Sequence, residues 1–167
     1  MTDPIEYTSR YLAQKARSWD ESIQISEEQI SYYLAIWLNY YGVIFLSIFI
    51  GFITGRVPES ILGLCTLILM RAVTGGIHAL SITVCFIIST LLIYVGAHYT
   101  IPLFGIILMN IVSSLIIIWY NKGRDSKESR WALSILLLNS LVLSSPVAIT
   151  AFAQSLTLIG IGGDSDD

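Results

Sequence analysis

Long apolar runs broken by short polar punctuation set the layout of this chain. Hydrophobic stretches fall at about residues 30–53, 61–73, 82–96, 103–120, 131–143 and 147–161. A helix needs roughly 20 mostly apolar residues to cross a hydrocarbon core about 30 Å thick. The runs therefore predict an all-α membrane protein with about six transmembrane helices. The punctuation supports these limits. Ser26-Glu27-Glu28-Gln29 places a Ser cap three residues before Gln, which starts the first helix near Glu27. The segment from Gly55 to Ser60 reads as a turn, with Pro58 placed to open the second helix. His98, Tyr99, Thr100 and Pro102 make a further turn, and residues 121–130, NKGRDSKESR, a polar loop. Ser144-Ser145-Pro146 divides the last two runs, and an acidic GGDSDD tail comes after them. The whole chain, 1–167, reads as one integral membrane domain.

Residues 4–24 have a different period. Ile5, Leu12, Ala16, Trp19 and Ile23 share one helical face, with Arg10, Lys15 and Arg17 off it. The segment is too polar to span and predicts an amphipathic helix. It either lies in the membrane interface with Trp19 and the tyrosines at headgroup level, or packs on the inner face of the domain. The first long apolar run begins only near residue 30, behind this polar leader, so no cleavable signal peptide is expected.

Composition strengthens the membrane reading. The chain is 54% hydrophobic and 13% charged, with a mean hydropathy of +0.72. Soluble domains carry about 25% charged residues. The net charge of −3 comes without a basic cluster, which argues against a nucleic-acid partner. Cys65 and Cys85 both fall in apolar or membrane-edge segments, so a disulfide framework is not expected. Six spans put both termini on one side, and the basic residues choose it. With the termini in the cytoplasm, Arg10, Lys15, Arg17, Arg71, Lys122, Arg124, Lys127 and Arg130 are inside and Arg56 is outside.

The chemistry concentrates in residues 71–85, RAVTGGIHALSITVC, which hold the one close His/Cys pair in the sequence. A thiol and an imidazole make a cysteine nucleophile with its general base. On an unbroken helix His78 and Cys85 would lie about 10 Å apart along the axis, whereas a thiol–imidazole hydrogen bond needs about 3 Å. Gly75-Gly76 supplies a break, which would let His78 fold back toward Cys85 near the start of the third span. There the positive end of the helix favours a thiolate. Arg71, a charge at the end of an apolar run, reads as a contact for a substrate carboxylate or as a headgroup anchor. The bland alternatives are a packing cysteine, an interfacial histidine and glycines for close helix approach. Cys65 and His98 are each thirteen residues from the other member of a pair, too far to substitute.

The pattern Arg71, Gly75, Gly76, His78, Ala79, Cys85 resembles the signature of the accessory gene regulator B family, bacterial membrane cysteine endopeptidases that process quorum-sensing propeptides. Length, span number and the amphipathic leader fit as well. The resemblance implies Cys85 as nucleophile, His78 as base, and Arg71, Gly75 and Gly76 in support. It implies cleavage of the C-terminal part of a small amphipathic propeptide at the cytoplasmic face of the cell membrane. The acyl-enzyme would then be attacked by a peptide side chain, closing a thiolactone or lactone ring. The implied partners are that propeptide and the lipid bilayer, with a homodimer admitted. Neither a metal nor a cofactor is expected. The chain departs from the family pattern in a proline-free loop after the fourth span and in its acidic C-terminus. Two rival readings remain: a non-enzymatic transporter or scaffold, for which the spans offer few polar groups, Asn39, Asn110 and Asn139, and no acidic residue well inside, and an acyltransferase that uses His78 without a covalent thiol.

Overall fold

Among the described residues seven helices form and there is no strand: α1 Pro4–Trp19, α2 Glu27–Thr54, α3 Val57–Thr74, α4 Ile82–His98, α5 Leu103–Tyr120, α6 Lys127–Val142 and α7 Ser145–Leu156. The structure is a computed structural model that describes residues 3–19, 25–74, 81–120 and 127–159. The all-α expectation holds. By length and composition α2, α3 and α5 are able to cross a membrane, and α4 and the Arg130–Val142 part of α6 are shorter apolar helices. Only 17% of the most apolar window of α2 is buried within the protein, so most of that helix surface faces outward. Trp37, Phe45 and Phe52 are among its exposed side chains.

The helix ends reflect local chemistry. Ser26 Oγ accepts the Gln29 amide at 3.3 Å, which is the cap expected at the start of α2. At its other end Gly55 has φ +69°, and the Arg56 amide donates to the Gly51 carbonyl at 2.7 Å. This six-to-one bond is a Schellman stop, and its left-handed position suits glycine. Helix α3 then starts at Val57, four residues before the hydrophobic run suggested, because Arg56 serves as its entry residue: the Ser60 amide bonds the Arg56 carbonyl at 3.0 Å. Helix α7 stops at Leu156, short of the expected 161. There the Ser155 and Thr157 hydroxyls bond carbonyls three residues back, at 2.8 and 2.7 Å, and the backbone tightens into three-residue turns.

The helices fall into two packed units. One comprises α1, α2 up to Leu46 and α4 up to Thr90. Here Ser9 and Ser31 bring α1 against α2 through a hydroxyl pair at 3.1 Å, with Ser9 fully buried. Gly42 lets α2 approach α4: a Cβ there would stand 2.7 Å from the Phe86 ring.

The other unit contains the remainder of α2 and α4 with α3, α5, α6 and α7. Its core gathers Met70, Ile117, Ala132, Leu136, Ala151 and Leu158. Small residues set the helix spacing: Cβ atoms on Gly63 and Gly96 would stand 3.4 and 3.2 Å from the buried Thr150 hydroxyl. Close approach through such residues is how helices gain van der Waals contact in lipid. Asn139 Nδ2 donates to Asn110 Oδ1 at 3.1 Å, Asn110 Nδ2 donates to Ser140 Oγ at 3.2 Å, and Asn139 Oδ1 accepts the Ser144 amide at 3.0 Å. The two asparagines are thus spent on joining α5 to α6 and on closing the turn before α7.

Candidate functional site

The site is anchored on the start of α4. Ser81 caps this helix: its hydroxyl accepts the Val84 amide at 3.4 Å, and its carbonyl accepts the Cys85 amide at 3.1 Å. Cys85 therefore stands at the end of the first turn, and it is 6% exposed. Cys65, by contrast, is exposed on α3, and both residues carry thiols. Arg71 lies in the last turn of α3, half-buried, one position beyond the core residue Met70. It belongs to the second unit, and Cys85 to the first. His78, Gly75 and Gly76 lie outside the described residues. Among the described residues no cluster of three or more His, Cys, Asp or Glu side chains could hold a metal ion.

Beside the first turn of α4, within the same unit, a cleft of about 530 Å³ opens between α1, α2 and Ile82. Glu6 and Arg10 line it from α1, Glu27, Glu28 and Tyr32 from α2. None of its four charged side chains is ion-paired within the described residues. Ile82 is three residues before Cys85, so the two share one side of α4. Three carboxylates against one guanidinium make the cleft net acidic.

One residue of this region carried no weight in the sequence reading. Asp3 is the N-cap of α1: its Oδ1 accepts the Ile5 amide at 2.9 Å, and Pro4 occupies the first helical position. The same carboxylate accepts the hydroxyls of Ser81 and Thr83, and the Thr83 amide at 3.0 Å. The sequence Asp3-Pro4-Ile5-Glu6 is a legible helix start, and its partnership with α4 is not. Burial alone would raise the Asp3 pKa, but the bonds from Ser81, Thr83 and Ile5 outweigh it and hold the carboxyl well below the usual range.

The sequence profile of the accessory gene regulator B family matches residues 5–124, a stretch that holds α1 to α5 and all of Arg71, Gly75, Gly76, His78 and Cys85. Neither a curated protein nor a solved structure matches the chain.

Proposed function

The chain belongs to the accessory gene regulator B family, a membrane-associated family implicated in processing quorum-sensing propeptides, and on that premise we propose that it is a cysteine endopeptidase with Cys85 as nucleophile and His78 as general base. The observation that carries the proposal is the thiol itself. Of the two cysteines, Cys85 alone lies in a helix first turn, shielded and three residues on from Ile82, which lines a polar cleft, and it stands where the family signature ends.

In this reading the propeptide settles at the interface and lays its backbone along the cleft. His78 takes the Cys85 proton, and the sulfur bonds the scissile carbonyl carbon. The tetrahedral adduct collapses with loss of the amine of the C-terminal fragment, which leaves with the proton from His78. The N-terminal fragment stays as a thioester. A thiol or hydroxyl of that fragment, losing its proton to His78, then attacks the thioester carbonyl; the acyl–sulfur bond to Cys85 breaks as the thiolactone or lactone ring closes, and the proton passes back to the Cys85 thiolate. Ring closure wins over hydrolysis where water is kept from the thioester, and the burial of Cys85 favours that outcome. Arg71 binds a substrate carboxylate, with Gly75 and Gly76 in support. The fold crosses the membrane six times with both ends in the cytoplasm, α4, α6 and α7 completing the crossings begun by the three longer helices. Of the three asparagines that would have favoured a transporter, Asn110 and Asn139 are engaged with each other within the second packed unit.

The test is loss of cleavage together with a trapped intermediate. Cys85→Ala and His78→Ala should each abolish propeptide cleavage, and the double change should be no worse than either, because parts of one catalytic unit are not additive. The wild-type protein, quenched in acid, should carry the mass of the N-terminal fragment on Cys85. Sustained cleavage by purified Cys85→Ala protein would refute the proposal.

A further inference from the structure

Asp3 is used twice. As the cap of α1 it accepts the Ile5 amide, and as an anion at the start of α4 it accepts three donors from Ser81 and Thr83. The partners lie 78 and 80 residues apart in sequence, so the contact is a tertiary clamp and not a local turn. Asp3 is 9% exposed. Its second set of donors occupies the positive end of α4, where an anion is favoured, and hydrogen bonds to a charged acceptor are the stronger kind. The clamp bears directly on the thiol. The Cys85 amide bonds the Ser81 carbonyl, and Ser81 and Thr83 are the residues that Asp3 holds. The backbone bond that sets the place of Cys85 therefore starts from a residue fixed by the N-terminus of the chain.

We infer that Asp3 is a positioning residue for Cys85: by clamping the start of α1 to the first turn of α4, its carboxylate sets where the thiol stands and how far it is shielded. The consequence for catalysis rests on Cys85 being the nucleophile; the consequence for shielding does not. An Asp3 that only capped α1 would leave the thiol unaffected by changes on the α4 side of the contact.

The experiment uses the full chain in nanodiscs in a Cys65→Ala background, so that alkylation by a small maleimide reads Cys85 alone. Propeptide cleavage is measured on the same samples. Asp3→Ala should speed alkylation about tenfold and slow cleavage about tenfold, the scale of losing hydrogen bonds to a charged group. Asp3→Asn, which keeps a carbonyl acceptor, should restore most of both. Thr83→Val leaves the Asp3 cap on α1 in place and should move both readouts in the same directions. The double variant Asp3→Ala/Thr83→Val should go no further than Asp3→Ala, as coupled partners do in a double-mutant cycle. Unchanged alkylation in Thr83→Val, or additive effects in the double variant, overturns the inference. If Asp3→Ala fails to insert, Thr83→Val with Ser81→Ala carries the same cycle. Cleavage that persists in Cys85→Ala would defeat the nucleophile reading alone, because the alkylation cycle reads the clamp without any turnover.

Discussion

A single carboxylate at the third residue of the chain gathers donors from both ends of the first packed unit. Its ionisation is linked to the contact. The folded pKa of Asp3 is lowered from an ordinary 3.8, so the stability it contributes is complete above that value and is lost as pH falls from there through the folded value. A spin label on α1, at Tyr7→Cys in a Cys65→Ala/Cys85→Ala background, should therefore keep the same mobility from pH 7 down to about 5 and loosen only below the ordinary aspartate range. Loosening already near pH 6 would mean that another group holds α1. The Asp3–α4 partnership was not legible in the sequence, since nothing local predicts an acceptor for donors 78 residues away. The helix start was legible: Cys85 stood out as one of a close His/Cys pair and was expected in a helix first turn, and Ser81 and Ile82 provide that start. His78, Gly75 and Gly76 were read from sequence and lie outside the described residues.

Elements were more legible where a side chain fixes the end. The Ser26 cap marked the start of α2, and the turn ending in Pro102 marked the start of α5 at Leu103, because both signals are local. The packing face of α1 was not legible. The apolar stripe runs through Leu12 and Trp19, yet these stay exposed, at 37% and 77%. The face that packs carries Ser9 and Ala13, both fully buried. Small side chains allow the close approach to Ser31 that a leucine would prevent, so contact distance chose the face rather than hydrophobicity. The apolar stripe is left over for another apolar phase. Lys15 lies over the ring of the exposed Trp19 at 5.1 Å. In an interfacial helix that stripe faces the headgroup and acyl boundary. Leu12→Asp with Trp19→Asp should then weaken propeptide processing severalfold, the loss of two interfacial anchors, while the protein still inserts and keeps its Ser9–Ser31 contact. Processing that is unchanged in vesicles of native lipid composition would reject an interfacial role for α1.

At the scale of the whole molecule the balance lies between apolar length and charge placement. Helices α2, α3 and α5 have the length and composition to cross a bilayer. Helices α4, α6 and α7 have 17, 16 and 12 residues, or about 26, 24 and 18 Å at 1.5 Å per residue. A shorter segment is accommodated by local thinning of the bilayer and by flanking side chains that reach the interface, at a modest cost per ångström. Trp131, 69% exposed near the start of α6, and Tyr99, 64% exposed after α4, are placed for that role. Charge placement supports the proposed direction. With the termini inside, eight Lys and Arg residues face the cytoplasm and Arg56, paired with Glu59 at 3.3 Å, faces out. The reversed arrangement would leave one cation to hold the inside against eight, which the positive-inside rule disfavours. A six-span, termini-in chain makes a two-sided prediction in intact cells of a Cys65→Ala/Cys85→Ala background. Arg124→Cys should resist a membrane-impermeant maleimide and react only after permeabilisation. Glu59→Cys, at the α3 end of the α2–α3 connection, should react without it. If α7 does not cross, Arg124→Cys keeps this pattern while Ser165→Cys becomes reactive from outside, so the third label decides whether the shortest helix completes the sixth span.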